Sequence, residues 1–297
     1  MRVAVARYPI GAPRDFAEFA DKQTQLLTEA SRAGAQVAVL PEYLSLELAA
    51  TFEANVHGDL IASLAAIQQY RPQWLALYSR LARDLQLHLV AGSFLLANER
   101  QRYRNRSDLF TPQGAHAWQD KLQLTGFEKA VGAIEGGDEL KVFDAAGVRV
   151  GISVCYDSEF PLPVRAQFEG GARLLLVPSC TDTEAGATRV RTGCLARALE
   201  NRMFVAQSVT AGAAAWSLAL DINTGEAAIY APMDVGFPAD GIVAQTGSDR
   251  SEDTWAIATL DLAALEANRA GAQVANDRDW SGQLAPAIAR AKLAVPL

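Results

Sequence analysis

Short apolar runs of strand length alternate with longer amphipathic runs of helical period along most of the chain. This alternation limits the fold to βα units with a partly parallel sheet. RVAVARY (2–8) is a strand-like run. In the segment 15–34, Phe16, Phe19, Leu26 and Leu27 recur at helical spacing, and Gly34 supplies a C-cap. QVAVLPE (36–42) is a buried strand stopped by Pro41, and HLVAGSF (88–94) is another strand. Between them, residues 60–85 form a helical pattern broken near Pro72. RLLLVPS (173–179) is a continuous apolar run of the kind buried on both faces. A helix over about 186–201 and a strand at 203–210 follow it.

Hairpins interrupt the alternation. Turn residues at Pro112-Gln113-Gly114, Ala145-Ala146-Gly147 and Asn223-Thr224-Gly225 each separate two extended runs. TWAIATLDL (254–262) is the last clear strand, and the tail from about 271 to 297 is less periodic apart from a short helix near 285–293. No low-complexity linker divides the chain, so residues 1–297 read as one domain. Crossovers mixed with hairpins predict an α/β protein with mixed sheets covered by helices.

Composition excludes several functions. Half of the 297 residues are hydrophobic, enough for a large core. The net charge of −7, with no basic stripe, argues against a nucleic-acid partner. No run reaches the roughly 20 apolar residues that cross a bilayer. The apolar stretch of the N-terminus is too short for a secretory signal. Three cysteines, Cys155, Cys180 and Cys194, are too few and odd in number for a disulfide framework, and point to a reducing, cytoplasmic compartment. No CxxC pair or His-rich cluster suggests a metal. His57, His88 and His116 are isolated and read as surface or loop residues.

Cys155 stands where a strand, GVRVGISV, meets a helix-like run, a position at which nucleophiles are exposed. An isolated cysteine is more often a buried packing residue, but the polar YDSE that follows is not core sequence. A thiol needs activation, because its ordinary pKa of about 8.5 leaves little thiolate at neutral pH. No histidine shares the strand-end setting, so the base falls to a carboxylate. Glu42 is the candidate, at the carboxyl end of a buried strand where open α/β sheets place their sites. Lys121, in the extended run AWQDKLQL, would stabilise negative charge on a substrate oxygen. Read singly, Glu42 and Lys121 also fit solvated surface positions. Tyr43, Tyr156, Cys180 and Thr181 are pocket candidates by adjacency. Cys194 reads as packing, and Arg197 with Glu200 as a structural ion pair.

Together the blocks VAVLPEY (37–43), DKLQLTGFE (120–128) and VGISVCYDSEFP (150–161) resemble the nitrilase superfamily of carbon–nitrogen hydrolases. Supporting matches are GGARLLLVPS (170–179), RALEN (197–201) and LDLAALEANR (260–269). The resemblance implies a four-layer α-β-β-α sandwich with two mixed sheets. It places the catalytic glutamate, lysine and cysteine on Glu42, Lys121 and Cys155, and a second, orienting glutamate on Glu128. It implies a thioester mechanism on a small-molecule amide, no cofactor or metal, and a homodimer or larger homo-oligomer. Tyr156-Asp157 resembles the amidase-like branches rather than true nitrilases. The arginine that some relatives carry after the cysteine to hold a substrate carboxylate is replaced by Asp157, Ser158 and Glu159, leaving Arg189 or Arg191 as alternative anchors. An N-carbamoyl amidohydrolase, a nitrilase, an acyltransferase and a silent scaffold on the same fold are the competing readings. The resting protonation of Cys155 stays open, since a nearby lysine favours thiolate and a nearby glutamate opposes it.

Overall fold

A computed structural model describes residues 1–247 and 254–285. The expected short helix near 285–293 lies almost wholly outside them. Among the described residues, the strands are β1 (Arg2–Pro9), β2 (Val37–Leu40), β3 (His88–Ala97), β4 (Tyr103–Phe110), β5 (His116–Asp120), β6 (Val142–Ala145), β7 (Val148–Ile152), β8 (Leu174–Ser179), β9 (Phe204–Ala213), β10 (Ile222–Asn223), β11 (Ala228–Tyr230), β12 (Ile242–Gln245) and β13 (Trp255–Thr259). The α-helices are α1 (Phe16–Arg32), α2 (Ala54–His57), α3 (Leu60–Ala66), α4 (Arg71–Asp84), α5 (Gly126–Val131), α6 (Pro161–Glu169), α7 (Glu184–Asn201), α8 (Leu262–Gly271) and α9 (Asn276–Asp279). Asp15 caps α1 by accepting from the Glu18 N–H. The helical run 60–85 breaks where sequence places the break, with Pro72 in the first turn of α4.

The protein is α/β with mixed sheets. β1, β2 and β3 run parallel, and β13 and β4–β5 add antiparallel strands at either side. β7, β8 and β9 are also parallel, with β6 and β11–β12 antiparallel at their edges. β1 joins the two sets. Its first half pairs with β2 and β13, and Arg7–Pro9 pair with Val209–Ala211 of β9.

Alternation along the strands sorts the core. Val3, Val5, Val37, Val39 and Val90 share a buried cluster with Val150, Ile152, Leu174, Leu176 and Val205 of the second set. Their neighbours Ala4, Ala6, Ala38, Leu40, Leu89 and Ala91 face the other way, packing with Phe19 and Leu27 of α1 and Trp74, Tyr78 and Leu81 of α4.

One expected hairpin is absent. Asn223-Thr224-Gly225 does not reverse the chain. β10 and β11 both lie antiparallel to β9 in a single register, Ile222 opposite Ala213 and Ala228 opposite Gln207. In that register residues 224–226 would face Ala211–Val209, but Arg7–Pro9 of β1 already pair there. The segment is pushed out of the sheet and tied elsewhere, Thr224 N–H donating to the Thr181 carbonyl at 2.8 Å. The reversal lies earlier, where Ala214 N–H donates to the carbonyls of Leu220 and Asp221.

Candidate active site

Four strand ends converge. Glu42 lies just past β2, Lys121 just past β5, Cys155 past β7 and Cys180 just past β8. β2 and β8 arrive as buried apolar runs, so the polar residue that follows each is delivered at a fixed sheet edge, whereas β5 (HAWQD) is exposed at its start and polar at its end.

Local backbone then aims the side chains. Cys155 has φ 49° and opens a 3₁₀ turn, Cys155–Glu159. Tyr43 has φ 60°. For a non-glycine residue this left-handed conformation costs about 1–2 kcal/mol, which the surrounding contacts hold in place. Asp157 supplies the contacts at the cysteine. Its carboxylate accepts the N–H groups of Leu122 at 3.0 Å, Gln123 at 2.7 Å and Val154 at 3.3 Å. One side chain thereby locks the segment after Lys121 to the turn that carries Cys155. Ser158 donates to the Cys155 carbonyl at 2.7 Å, and Arg197 to the Ser158 carbonyl at 3.3 Å. Arg197 also pairs with Glu200 at 3.0 Å. At the glutamate, β3 bulges between Val90 and Ser93, and Ser93 Oγ accepts the Tyr43 N–H at 2.8 Å. Gly92 sits in that bulge at φ 67°, where a Cβ would stand 2.2 Å from the Pro41 carbonyl oxygen. Only glycine permits that approach.

Lys121 Nζ donates to Glu42 Oε1 and reaches Glu128 Oε2, both at 2.8 Å. Asn105 Nδ2 also donates to Glu42 Oε1, at 2.8 Å. Glu42 Oε2 is buried with no protein partner among the described residues. Glu128 is held from several sides. Tyr43 OH donates to its Oε1 at 2.8 Å, and Thr125 N–H to its Oε2 at 2.8 Å, within a capping box that starts α5. Cys155 Sγ lies 3.6 Å from the Cys180 carbonyl oxygen, which it faces as a donor. Glu42, Lys121, Cys155 and Glu128 are each no more than 5% exposed.

Burial dominates the electrostatics. It pushes Glu42 above the ordinary carboxylate range, with Lys121 pulling down and Glu128 pushing up. For Glu128, burial also opposes ionisation, but Lys121 and the Thr125 and Tyr43 donors outweigh it and hold the carboxyl low. The two carboxyls are thus driven apart, Glu128 a fixed anion and Glu42 the one ready to take a proton. Burial works against the Lys121 ammonium, yet the two carboxylates keep it firmly protonated. Burial, then the Glu42 charge, push Cys155 well above its usual value against the pull of Lys121. Burial and the Glu42 charge thus both favour the neutral thiol, against Lys121. Asp157 is pushed up to about 6 by burial, against its three N–H donors.

Glu42, Lys121 and Cys155 open into a cavity of about 320 Å³, also lined by Tyr43, Tyr156, Cys180 and Thr181, while Glu128 stands behind Lys121 and does not line it. The four pocket candidates therefore all reach it, though Tyr43 spends its hydroxyl on Glu128. Arg189 lines the same cavity, whereas Arg191 lines a separate one of about 220 Å³ and pairs with Glu226 at 3.5 Å. Cys194 is packed in the core. The histidines lie elsewhere; His116 is exposed, as expected, whereas His88 is half-buried in a strand. His88 begins β3, half-buried, and accepts the Ala146 N–H at 3.1 Å. His116 is on β5 and pairs with Asp108 at 2.9 Å. His57 ends α2 beside the Trp216 carbonyl at 3.1 Å. Asn105 and the buttressing role of Asp157 were not found by sequence. Asn105 comes from the middle of β4 with no local motif to mark it. Among the described residues, no cluster of three His, Cys, Asp or Glu side chains is arranged to hold a metal, and no helix is long and apolar enough to cross a membrane.

Comparison with known proteins bears on this arrangement. The carbon-nitrogen hydrolase family model matches residues 2–270. A probable hydrolase of Bacillus subtilis, YhcX, is 31% identical over 279 residues, covering 94% of this chain and 53% of that protein. The chain thus spans about half the length of that relative. The omega-amidase NIT2-A of Xenopus laevis is 25% identical, with 82% of each chain covered. Among solved structures, Saccharomyces cerevisiae Nit3, a member of branch 10 of the nitrilase superfamily, superposes with a TM-score of 0.72 at 19% identity, covering 94% of this chain and 96% of that one. An amidase from Nesterenkonia superposes with a TM-score of 0.68 at 24% identity, again covering 94% and 96%. At these identities the structural matches speak for the fold.

Proposed function

The chain belongs to the carbon-nitrogen hydrolase family, within the nitrilase superfamily, and from that premise we propose that it hydrolyses a small non-peptide amide at Cys155, releasing ammonia or an amine. The observation that carries this reading is the unequal use of the Glu42 oxygens. Oε1 is held by Lys121 and Asn105, while Oε2 is buried, unpartnered and in the cavity that contains the thiol. A general base needs such a free lone pair.

In the proposed reaction, Cys155 Sγ attacks the amide carbon as Glu42 takes the thiol proton, and the carbonyl electron pair moves onto oxygen. Lys121 has three N–H donors, two of them directed at Glu42 and Glu128. The third stabilises the oxyanion together with the Tyr156 backbone N–H. Collapse breaks the carbon–nitrogen bond, Glu42 passes its proton to the leaving nitrogen, and a thioester remains on Cys155. Glu42 then takes a proton from water, the hydroxide attacks the thioester, and the acid leaves as the thiol is restored. Glu128 fixes Lys121 and, through Tyr43, the wall of the site. A neutral thiol at rest suits this sequence, because the proton moves only when sulfur attacks.

We extend the reading to the whole molecule. The two core clusters support a four-layer α-β-β-α sandwich within a single domain, residues 1–297. A cavity of this size suits a small molecule rather than a polymer. We propose no metal, cofactor, nucleic-acid or membrane partner, a homodimer or larger homo-oligomer built on the helical face that includes α6, and a reducing, cytoplasmic setting for its free thiols. The test is ammonia release from a panel of small amides, ω-amides, N-carbamoyl compounds and nitriles. Amide turnover ahead of the other classes supports the reading. Preferred turnover of nitriles or N-carbamoyl compounds replaces it.

A further inference from the structure

We propose that the lining of the active-site cavity selects amides whose acyl chain crosses an apolar stretch and ends in a cation, an ammonium group above all. This deepens the hydrolase reading and rests on it. Part of the cavity lining is apolar. Phe127, Val190 and Leu218 supply it, and Phe127 and Leu218 are exposed large side chains that water alone would otherwise cover. Glu159, Asp182 and Asp221 line the same cavity, with Arg189 the one cation among them.

The charges do not cancel. Arg189 stands 3.7 Å from the Glu159 carboxylate, so it is already matched. Burial pushes the Glu159 carboxyl above its ordinary range and Arg189 pulls it back, so each answers the other. The Asp182 and Asp221 side chains take no salt bridge within the described chain, and both are exposed. Lys121, deeper in, is occupied by Glu42 and Glu128. Three carboxylates against one guanidinium leave this set with two negative charges in excess. Glu42, whose Oε2 is buried without a hydrogen-bond partner among the described residues, lines the same cavity. The reacting amide is fixed at Cys155, so the far end of its acyl chain is what reaches Asp182, on the loop after β8, and Asp221, just before β10. A carboxylate there would meet like charge, and an ammonium would meet two unanswered anions.

Three amides of equal length separate the possibilities: 5-aminopentanamide, hexanamide and the monoamide of adipic acid, which end in ammonium, methyl and carboxylate. Their affinities are measured by calorimetry on Cys155→Ala at low ionic strength, and ammonia release is followed with the wild type. The inference predicts binding of the ammonium amide about tenfold tighter than the neutral one, with the carboxylate amide weakest, a spread that narrows as salt is added. In the Asp182→Asn, Asp221→Asn double variant the ammonium-to-neutral ratio falls to within about twofold. Both sites are exposed and the substitutions isosteric, so the fold is kept. Arg189→Gln should leave the order unchanged. Tightest binding of the carboxylate amide, an ammonium preference indifferent to the two asparagines, or no binding of any of the three overturns the inference. The predicted binding order without ammonia release would instead overturn the hydrolase reading and leave the charge selection standing.

Discussion

Asn105 Nδ2 donates to Glu42 Oε1 at 2.8 Å across 63 residues of sequence, beside the Lys121 ammonium that donates to the same oxygen. This bond and the Lys121 bond keep Oε1 occupied, which leaves Oε2 for proton transfer. A hydrogen bond to a carboxylate favours its ionised form. Asn105→Leu removes that support, so the Glu42 pKa should rise further. The acidic limb of the kcat–pH profile should move to higher pH, with kcat lowered about 10- to 100-fold. A fall in kcat with an unmoved acidic limb would mean that Asn105 acts only through packing.

Glu128→Gln should separate the two buried carboxyls. Glu128 raises the Glu42 pKa by like charge and shares Lys121 with it. Losing that charge lowers the Glu42 pKa and makes it a weaker base. The acidic limb should shift to lower pH, opposite in sign to Asn105→Leu, while kcat falls by about 10²-fold. Paired pH profiles of the two variants check this, and shifts in the same direction would count against the assignment.

Glu42→Gln should make Cys155 easier to alkylate while abolishing turnover. The Glu42 charge helps to hold the thiol protonated, and Lys121 works the other way. With the anion gone the thiol pKa falls, so iodoacetamide labelling at mildly alkaline pH should speed up by about 10-fold. Cys180 and Cys194, both pushed up to about 12 by burial, should stay unlabelled. Peptide mass spectrometry over a pH series gives the rates. Slower labelling of the variant would show that Glu42 activates the resting thiol instead.

Gly92→Ala should destabilise the fold by about 3 kcal/mol or more, because a new methyl group meets the Pro41 carbonyl and the residue holds a left-handed φ. The strain falls on the loop that carries Glu42. Urea unfolding measures the loss, and a change under about 0.5 kcal/mol would show that this backbone contact yields easily.

Sequence exposed the site unevenly. Cys155 and Glu42 follow strands whose apolar runs are visible, so their place at sheet edges could be read, whereas Lys121 follows the polar strand HAWQD and was read inside an extended run. Glu128 was reached only through the family resemblance, which implies a second glutamate a few residues after the lysine. Asn105 was not found, because its value comes from β4 lying beside β3, a pairing that no local pattern states. Asp157 was noticed as a branch marker and a missing arginine, whereas its carboxylate also accepts from Leu122 N–H, 35 residues away in sequence. The hairpin at residues 223–225 failed for a tertiary reason. Its turn chemistry was sound, but β1 occupies the edge that a hairpin would have used. Left-handed backbone at Tyr43 and Cys155 gave no signal, since neither residue type favours it.

The most direct measurement is steady-state ammonia release by the wild type and by Cys155→Ala, on whichever small amide the panel identifies. Cys155 sits in the core cluster with its thiol facing the cavity, and alanine removes one buried sulfur without adding bulk. Circular dichroism verifies that the variant is folded. The account predicts that turnover falls by about 10⁴-fold or more, since no other described thiol combines reach of the cavity with the Glu42 and Lys121 pair. Hydrolysis by folded Cys155→Ala within about tenfold of the wild-type rate would contradict it.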